Sequence, residues 1–255
     1  MRRMVALAKV LALLSVGLPV IAALALRRFI QGETARGFPP WFARLLCRII
    51  GVRLVIEGPV PASGPALITA NHLSWLDIPV LAAAAPLAFV SKQEVAGWPL
   101  FGFMARLHRT LFINRERRHS TGPSRADLQE RLAAGEIMVL FPEGTSGDGT
   151  RLLPFKSSFF AAAVLGNVPV HPVTMAHVRF HGLPLLPRHR PVFAWYGDMD
   201  LMPHLWGVLQ AGPLLVHLRF HPPLEPSDFP DRKALARRVQ ETIAEDLALI
   251  LAGRR

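Results

Sequence analysis

The sequence predicts an α/β fold, a β-sheet covered by helices, with an apolar helical segment ahead of it. Three observations predict it. From Val52 onward, short apolar runs alternate with longer helical patterns, the arrangement that lays helices over a sheet. Before that, Val5 to Leu26 is apolar apart from Lys9 and Ser15. Finally, the chain has 255 residues, 51% of them hydrophobic and 18% charged. That is enough for one large domain with a core, and poorer in charge than the usual quarter.

As a helix, Val5 to Leu26 would reach about 33 Å, enough for a bilayer core. Lys9 lies near one end and can snorkel; Gly17 and Pro19 can kink the helix. A transmembrane or half-embedded helix is the leading reading. A cleaved signal peptide is a second, because Ala23-Leu24-Ala25 resembles a cleavage site after a basic start. Arg27 and Arg28 follow at once and weigh against cleavage. A buried core helix is the third. Next, Phe38, Trp41, Phe42, Leu45, Leu46 and Ile49 recur at helical spacing, and Pro39-Pro40 suits a helix start. Tryptophan and arginine on a short amphipathic helix suit an interfacial position; packing against the domain suits the pattern as well. The expected division is residues 1–50 as membrane-associated helices and 51–255 as the α/β domain.

Strands are expected at 52–56 and 66–70, and near 87–91, 110–114, 137–141, 168–174, 191–196 and 214–220. Helices are expected at 74–84, 97–107, 123–134 and 156–165. The Pro-, His- and Arg-rich region 180–191 reads as a loop. After Ser227, Asp228 and Pro230, a last helix carries Leu235, Val239, Ile243 and Leu247 on one face.

The formal net charge of +11 favours an anionic partner: nucleic acid, an acidic lipid surface or a phosphorylated substrate. The chain lacks zinc-finger spacing, an RNA-binding aromatic motif and a long basic block, so nucleic acid is not the expected partner. The pairs Arg2-Arg3 and Arg27-Arg28 flank the apolar stretch, which points to membrane lipid. Cys47 is the only cysteine; an intrachain disulfide and a four-cysteine zinc site are both excluded. His171, His177, His181, His189, His217 and His221 are scattered and no His-Glu-x-x-His occurs, so no metal is expected.

Two strings carry the chemistry. Asn71-His72-Leu73-Ser74-Trp75-Leu76-Asp77 follows the expected strand 66–70, at the strand-to-helix edge where α/β proteins place reactive groups. A regular helix through both would set Asp77 about 140° around from His72. The pair meets only if His72 lies at the helix mouth or before it. If so, Asp77 fixes the imidazole tautomer and His72 can take a proton from a substrate hydroxyl. Phe141-Pro142-Glu143-Gly144-Thr145 ends another expected strand. Glu143 can accept hydrogen bonds there, and the turn's N–H groups can face an anion. No Gly-x-Ser-x-Gly elbow occurs.

These strings together resemble the 1-acylglycerol-3-phosphate acyltransferase family of glycerolipid acyltransferases, over roughly residues 50–225. The resemblance implies that family's mixed sheet flanked by helices. It implies His72 as the base and Asp77 as its orienter, with Glu143, Gly144 and Thr145 binding the acceptor's glycerol portion. Leu111-Phe112-Ile113-Asn114-Arg115 resembles the block whose arginine binds the acceptor phosphate. Pro154-Phe155-Lys156 resembles a segment whose lysine lies near that phosphate, and Val168-Pro169-Val170-His171-Pro172-Val173 resembles an apolar pocket-shaping block. The implied reaction moves a fatty acyl group from acyl-carrier protein or coenzyme A to a lysolipid hydroxyl, with 1-acylglycerol-3-phosphate, yielding phosphatidic acid, as the first choice of acceptor, at the cytoplasmic side of the inner membrane. No cofactor beyond that acyl co-substrate is implied. Two departures bear on the acceptor. Ser146-Gly147 replaces the arginine that often follows the threonine, and Arg109 stands where the second block often begins with glycine. Lyso-ornithine lipid, whose headgroup lacks phosphate, is therefore an alternative to 1-acylglycerol-3-phosphate. A hydrolase using the same pair on water is a rival from another class.

Overall fold

The computed structural model describes residues 1–32, 37–113 and 121–254, with side chains of the last span from 126 onward. Among them, eight strands form one mixed sheet. In chain order these are β1 (Val52–Glu57), β2 (Ala66–Ala70), β3 (Ala88–Lys92), β4 (Leu111–Ile113), β5 (Ile137–Leu140), β6 (Val170–Phe180), β7 (Leu183–Pro184) and β8 (Leu214–Phe220). The spatial order is β1-β8-β6-β2-β5-β3-β4, with β7 paired antiparallel on β6. β2 runs parallel to both β5 and β6, and β3 parallel to β5 and β4. β6 and β8 are antiparallel, which makes the sheet mixed, as the resemblance implied.

The central strands explain why the sheet is covered on both sides. Every residue of β2 and β5 is buried, as expected where helices cover both faces. Ile68 and Val139 enter one core, together with α2 (Pro40–Ile50), α3 (Asp77–Ala82) and α9 (Leu201–Gln210). Leu67, Met138 and Leu140 enter the other, with α6 (Thr121–Ala133), α7 (Ala161–Gly166) and α10 (Arg232–Leu251). On α10, Leu235, Val239, Ile243 and Leu247 are all buried, the stripe expected from their spacing. Asp231 caps that helix by accepting from Lys233 N and Ala234 N at 2.7 and 2.8 Å.

α1 (Arg2–Gln31) is one 30-residue helix, and only 11% of its most apolar stretch is buried. At about 1.5 Å per residue it is long enough to cross a bilayer. Its docking is specific. Ala6 is fully buried, and Lys9 turns inward rather than snorkelling: its Nζ donates to Ile50 O at 2.7 Å and Ala211 O at 3.3 Å, carbonyls at the ends of α2 and α9. Farther along, Arg28 Nη1 donates to Arg106 O at 3.0 Å, at the end of α5 (Pro99–Leu107). α2 is two-faced. Phe42, Ala43, Cys47 and Ile50 are buried while Trp41 is 56% exposed, so its buried side lies beside the stripe expected from the sequence. Ala43, Cys47 and Ile50 share a core with the sheet.

The expected strand at 191–196 does not form. Arg190–Phe193 is a helical turn, α8, with Ala194 N donating to Arg190 O at 2.8 Å. The aromatic, β-branched composition misled here: Phe193 and Ala194 bury against the core without a strand partner. α9, Leu-Met-Pro-His-Leu-Trp-Gly-Val-Leu-Gln, was not expected either, because Pro203 and Gly207 break its helical signature. β6 runs to Phe180, six residues beyond its expected end, because β8 pairs along its extension.

Candidate active site

Parallel pairing of β2 with β5 puts the ends of both strands on one edge of the sheet, so the two informative strings meet. Residues 71–74 leave β2 as irregular backbone and α3 begins only at Asp77. His72 therefore precedes the helix, and the geometric condition for the pair is met. His72 Nδ1 lies 2.7 Å from Asp77 Oδ2. The same oxygen accepts Leu73 N at 2.6 Å and Ser74 N at 2.9 Å, so two backbone donors fix the carboxylate against the ring. Asp77 is fully buried, whereas the His72 side chain keeps 20% of its surface exposed. The imidazole lies flat on Phe141, centroids 4.0 Å apart and planes 15° apart.

Asn71 fixes the strand end. Its Nδ2 donates to Met175 O and its Oδ1 accepts from Met175 N, both at 2.8 Å. This two-point clip extends the β2–β6 pairing past the last strand residue and sets where His72 starts. The backbone it bonds belongs to β6 and not to the helix that follows.

Glu143 is 4% exposed and faces the protein's own backbone. Oε1 accepts His72 N at 2.7 Å and Oε2 accepts Leu153 N at 2.8 Å. Burial pushes its carboxyl up to about 7, against the pull of those two donors. Gly144 takes φ +77°, where a side chain would be strained, and closes the turn with a bond from its N–H to Phe141 O at 3.1 Å. Thr145 is exposed. Lys156 is tied to this segment by its backbone N–H, which donates to Pro142 O at 2.9 Å, and its side chain is exposed. Arg115 lies outside the described residues; β4, which precedes it, ends on the same sheet edge through its parallel pairing with β3.

Some neighbours of the pair had no sequence signal. Gly147 N donates to His72 O at 2.9 Å, and Trp195 N donates to Leu73 O at 2.8 Å. Ser146 Oγ donates to Trp195 O. The loop after Glu143 and the segment after α8 are thereby stapled to the consecutive carbonyls of His72 and Leu73. His177, from β6, is 2% exposed and lies within the field of Asp77; burial pushes its imidazole down to about 4. Arg109 adopts φ +60°, the left-handed geometry that suits the glycine often found there in the resembled family. Its side chain pairs with Glu136 at 2.6 Å. Among the described residues, no group of three or more His, Cys, Asp or Glu side chains is placed to hold a metal ion.

Comparison with known proteins gives a consistent result. The family model described as Acyltransferase matches residues 51–176. A lyso-ornithine lipid O-acyltransferase of Brucella abortus is 41% identical over 226 residues, 86% of this chain and 85% of that protein. A 1-acyl-sn-glycerol-3-phosphate acyltransferase of Neisseria meningitidis is 31% identical over 194 residues, 76% of this chain and 73% of that protein. The crystal structure of the 1-acyl-sn-glycerophosphate acyltransferase PlsC from Thermotoga maritima superposes with a TM-score of 0.72, covering 97% of both chains at 23% identity; it shares the fold.

Proposed function

The chain belongs to the acyltransferase family of lyso-ornithine lipid and 1-acylglycerol-3-phosphate O-acyltransferases, and from that premise we propose how its site works and what it acylates. The observation that carries the reading is the 2.7 Å contact between His72 Nδ1 and a fully buried Asp77. Asp77 holds the proton on Nδ1, which leaves Nε2 as the base. Nε2 takes the proton of a lysolipid hydroxyl as its oxygen attacks the carbonyl of an acyl thioester. The tetrahedral intermediate collapses, the carbon–sulfur bond breaks, and the imidazolium returns the proton to the thiolate. Asp77 stabilises the imidazolium while it lasts. Glu143 braces the His72 backbone so that the ring meets both substrates in one orientation. Gly144 and Thr145 border the acceptor; Arg115 and Lys156 are the cations for an anionic group.

For the acceptor, the higher identity to the Brucella lyso-ornithine lipid enzyme and Ser146-Gly147 in place of arginine favour lyso-ornithine lipid. 1-Acylglycerol-3-phosphate is the second reading, supported by the string ending at Arg115 and by the Neisseria relative. The donor is an acyl-carrier protein or coenzyme A thioester, both anionic and suited to a chain of net charge +11. α1 anchors the enzyme in the inner membrane with its catalytic edge on the cytoplasmic side.

The test supplies purified enzyme with labelled acyl thioester and a panel of lysolipids, and identifies the product. A diacyl lipid is expected, lost in His72→Ala while that variant still sediments with membranes. Free fatty acid without diacyl lipid would mark a hydrolase, and retained turnover in His72→Ala would remove the base.

A further inference from the structure

Beside the pair lies an arginine that the mechanism above does not use. Arg190 is only 9% exposed. Its Nη1 donates to Gly149 O at 2.9 Å. Among the described residues its Nε is buried without a partner, and Nη1 is the one guanidinium nitrogen that makes a hydrogen bond. The Nε–Nη2 edge of a guanidinium is a two-pronged fork that matches a carboxylate. A buried guanidinium with that fork unmatched is costly unless an anion completes it. Burial pulls the group below its usual affinity for protons, and the field of Asp148 restores only part of it.

Asp148 is the matching half. It interacts with Arg190 through space but forms no ion pair with it. Its Oδ1 accepts Thr150 N at 2.9 Å and Thr150 Oγ1 at 2.7 Å, which fixes the carboxylate and leaves Oδ2 without a hydrogen bond. Both residues sit on segments tied to the backbone at His72 and Leu73. Gly147, next to Asp148, bonds His72 O at 2.9 Å. Gly149, on its other side, has φ +74°, and a Cβ there would meet Leu73 Cδ2 at 2.5 Å and Arg190 Nη1 at 3.4 Å. Trp195, five residues past Arg190, bonds Leu73 O at 2.8 Å. Asp198 and Asp200 follow, both exposed. Arg151 and Arg190 both act on Asp148 through space, so the flank carries both signs of charge, which suits a zwitterion better than a doubly charged phosphate.

We propose that Arg190 and Asp148 form a headgroup subsite for a zwitterionic lysolipid built on an N-acylated diamino acid, in which Arg190 takes the headgroup carboxylate and Asp148 the headgroup ammonium. The subsite lies one residue along the loop from the backbone contact to His72, so a headgroup held there presents the lipid's hydroxyl to the imidazole. This rests on the lysolipid acyltransferase reading and specifies its acceptor.

Three acceptors test it with the purified full chain: lyso-ornithine lipid, the same lipid with its side-chain amine acetylated, and 1-acylglycerol-3-phosphate. Asp148→Asn should lower kcat/KM for lyso-ornithine lipid by about ten- to a hundredfold, the worth of one charge-assisted hydrogen bond. It should leave the already poor rate on the acetylated lipid little changed. Arg190→Lys, which keeps the charge and loses the fork, should lower kcat/KM for both carboxylate acceptors alike. The ratio of ornithine to phosphate acceptor should fall in both variants, and equal melting temperatures would exclude a folding defect. Equal loss on all three acceptors, equal use of the acetylated lipid by the unaltered enzyme, or preference of the unaltered enzyme for the phosphate acceptor would overturn the subsite and leave acyl transfer standing. No diacyl product from any acceptor would overturn the underlying reading instead.

Discussion

Asp77→Asn separates charge from geometry at this site. All three donors to Asp77 converge on Oδ2: His72 Nδ1, Leu73 N and Ser74 N. Oδ1 is buried without a partner. An asparagine can place its amide oxygen where Oδ2 lies and keep all three bonds, with its NH2 at the unpartnered position. The fold should survive, but the negative charge is gone. With the ring and carboxylate centres about 4 Å apart at an effective dielectric constant near 20, the lost attraction for an imidazolium is about 4 kcal/mol. The imidazolium forms only as the acceptor proton is taken, so the loss falls on the chemical step and amounts to roughly a thousandfold in rate. Single-turnover transfer from a labelled thioester measures that step apart from product release, and thermal unfolding checks the fold. A rate within about tenfold of the unaltered enzyme at equal melting temperature would refute the argument that this carboxylate acts by its charge.

Two further outcomes follow from the packing. Burial holds Glu143 near 7, above the ordinary 4.5, so the folded state binds its proton more tightly than the unfolded state. Its contribution to stability is therefore greatest below about 4.5 and declines as pH rises through about 7, by about 3 kcal/mol in all. His108 and His177, pushed down to about 4 by burial, act with the opposite sign: their neutral forms support the fold above the ordinary imidazole range, and that support is lost as pH falls through about 4. The stability difference between the unaltered protein and Glu143→Gln cancels the histidines; it should slope with pH over the Glu143 window, and a flat difference would show that the carboxyl titrates normally. Lys9→Met removes the donor to Ile50 O and Ala211 O, a loss of about 1–3 kcal/mol. Hydrogen exchange should quicken along α1 and leave β2 and β5 protected; unchanged α1 protection would mean that apolar packing alone docks the helix.

Local pattern was informative wherever one segment's environment is uniform. Ala66–Ala70 and Ile137–Leu140 are continuous apolar runs because both sheet faces are covered, and α10 shows its stripe because one face is. The reactive strings were legible because His72 and Asp77 are close in sequence and the bond between them is local. Segment 191–196 and α9 misled because apolar side chains pack into a core equally well from a strand, a turn or an irregular helix. Only a neighbouring strand edge distinguishes the first, and that edge is set by distant residues.

The amino-acid sequence by itself determined the α/β class, the apolar leading helix and the candidate pair His72 and Asp77, since each is written in the period or spacing of contiguous residues. Tertiary structure alone decided that Glu143 turns inward to hold the His72 backbone, that Lys9 ties α1 to two helix ends, and that Arg190 comes to lie beside Asp148. Those outcomes join residues from separate elements. Whether a charged side chain is buried, bonded or left unmatched is settled by what folds around it, which no local pattern encodes.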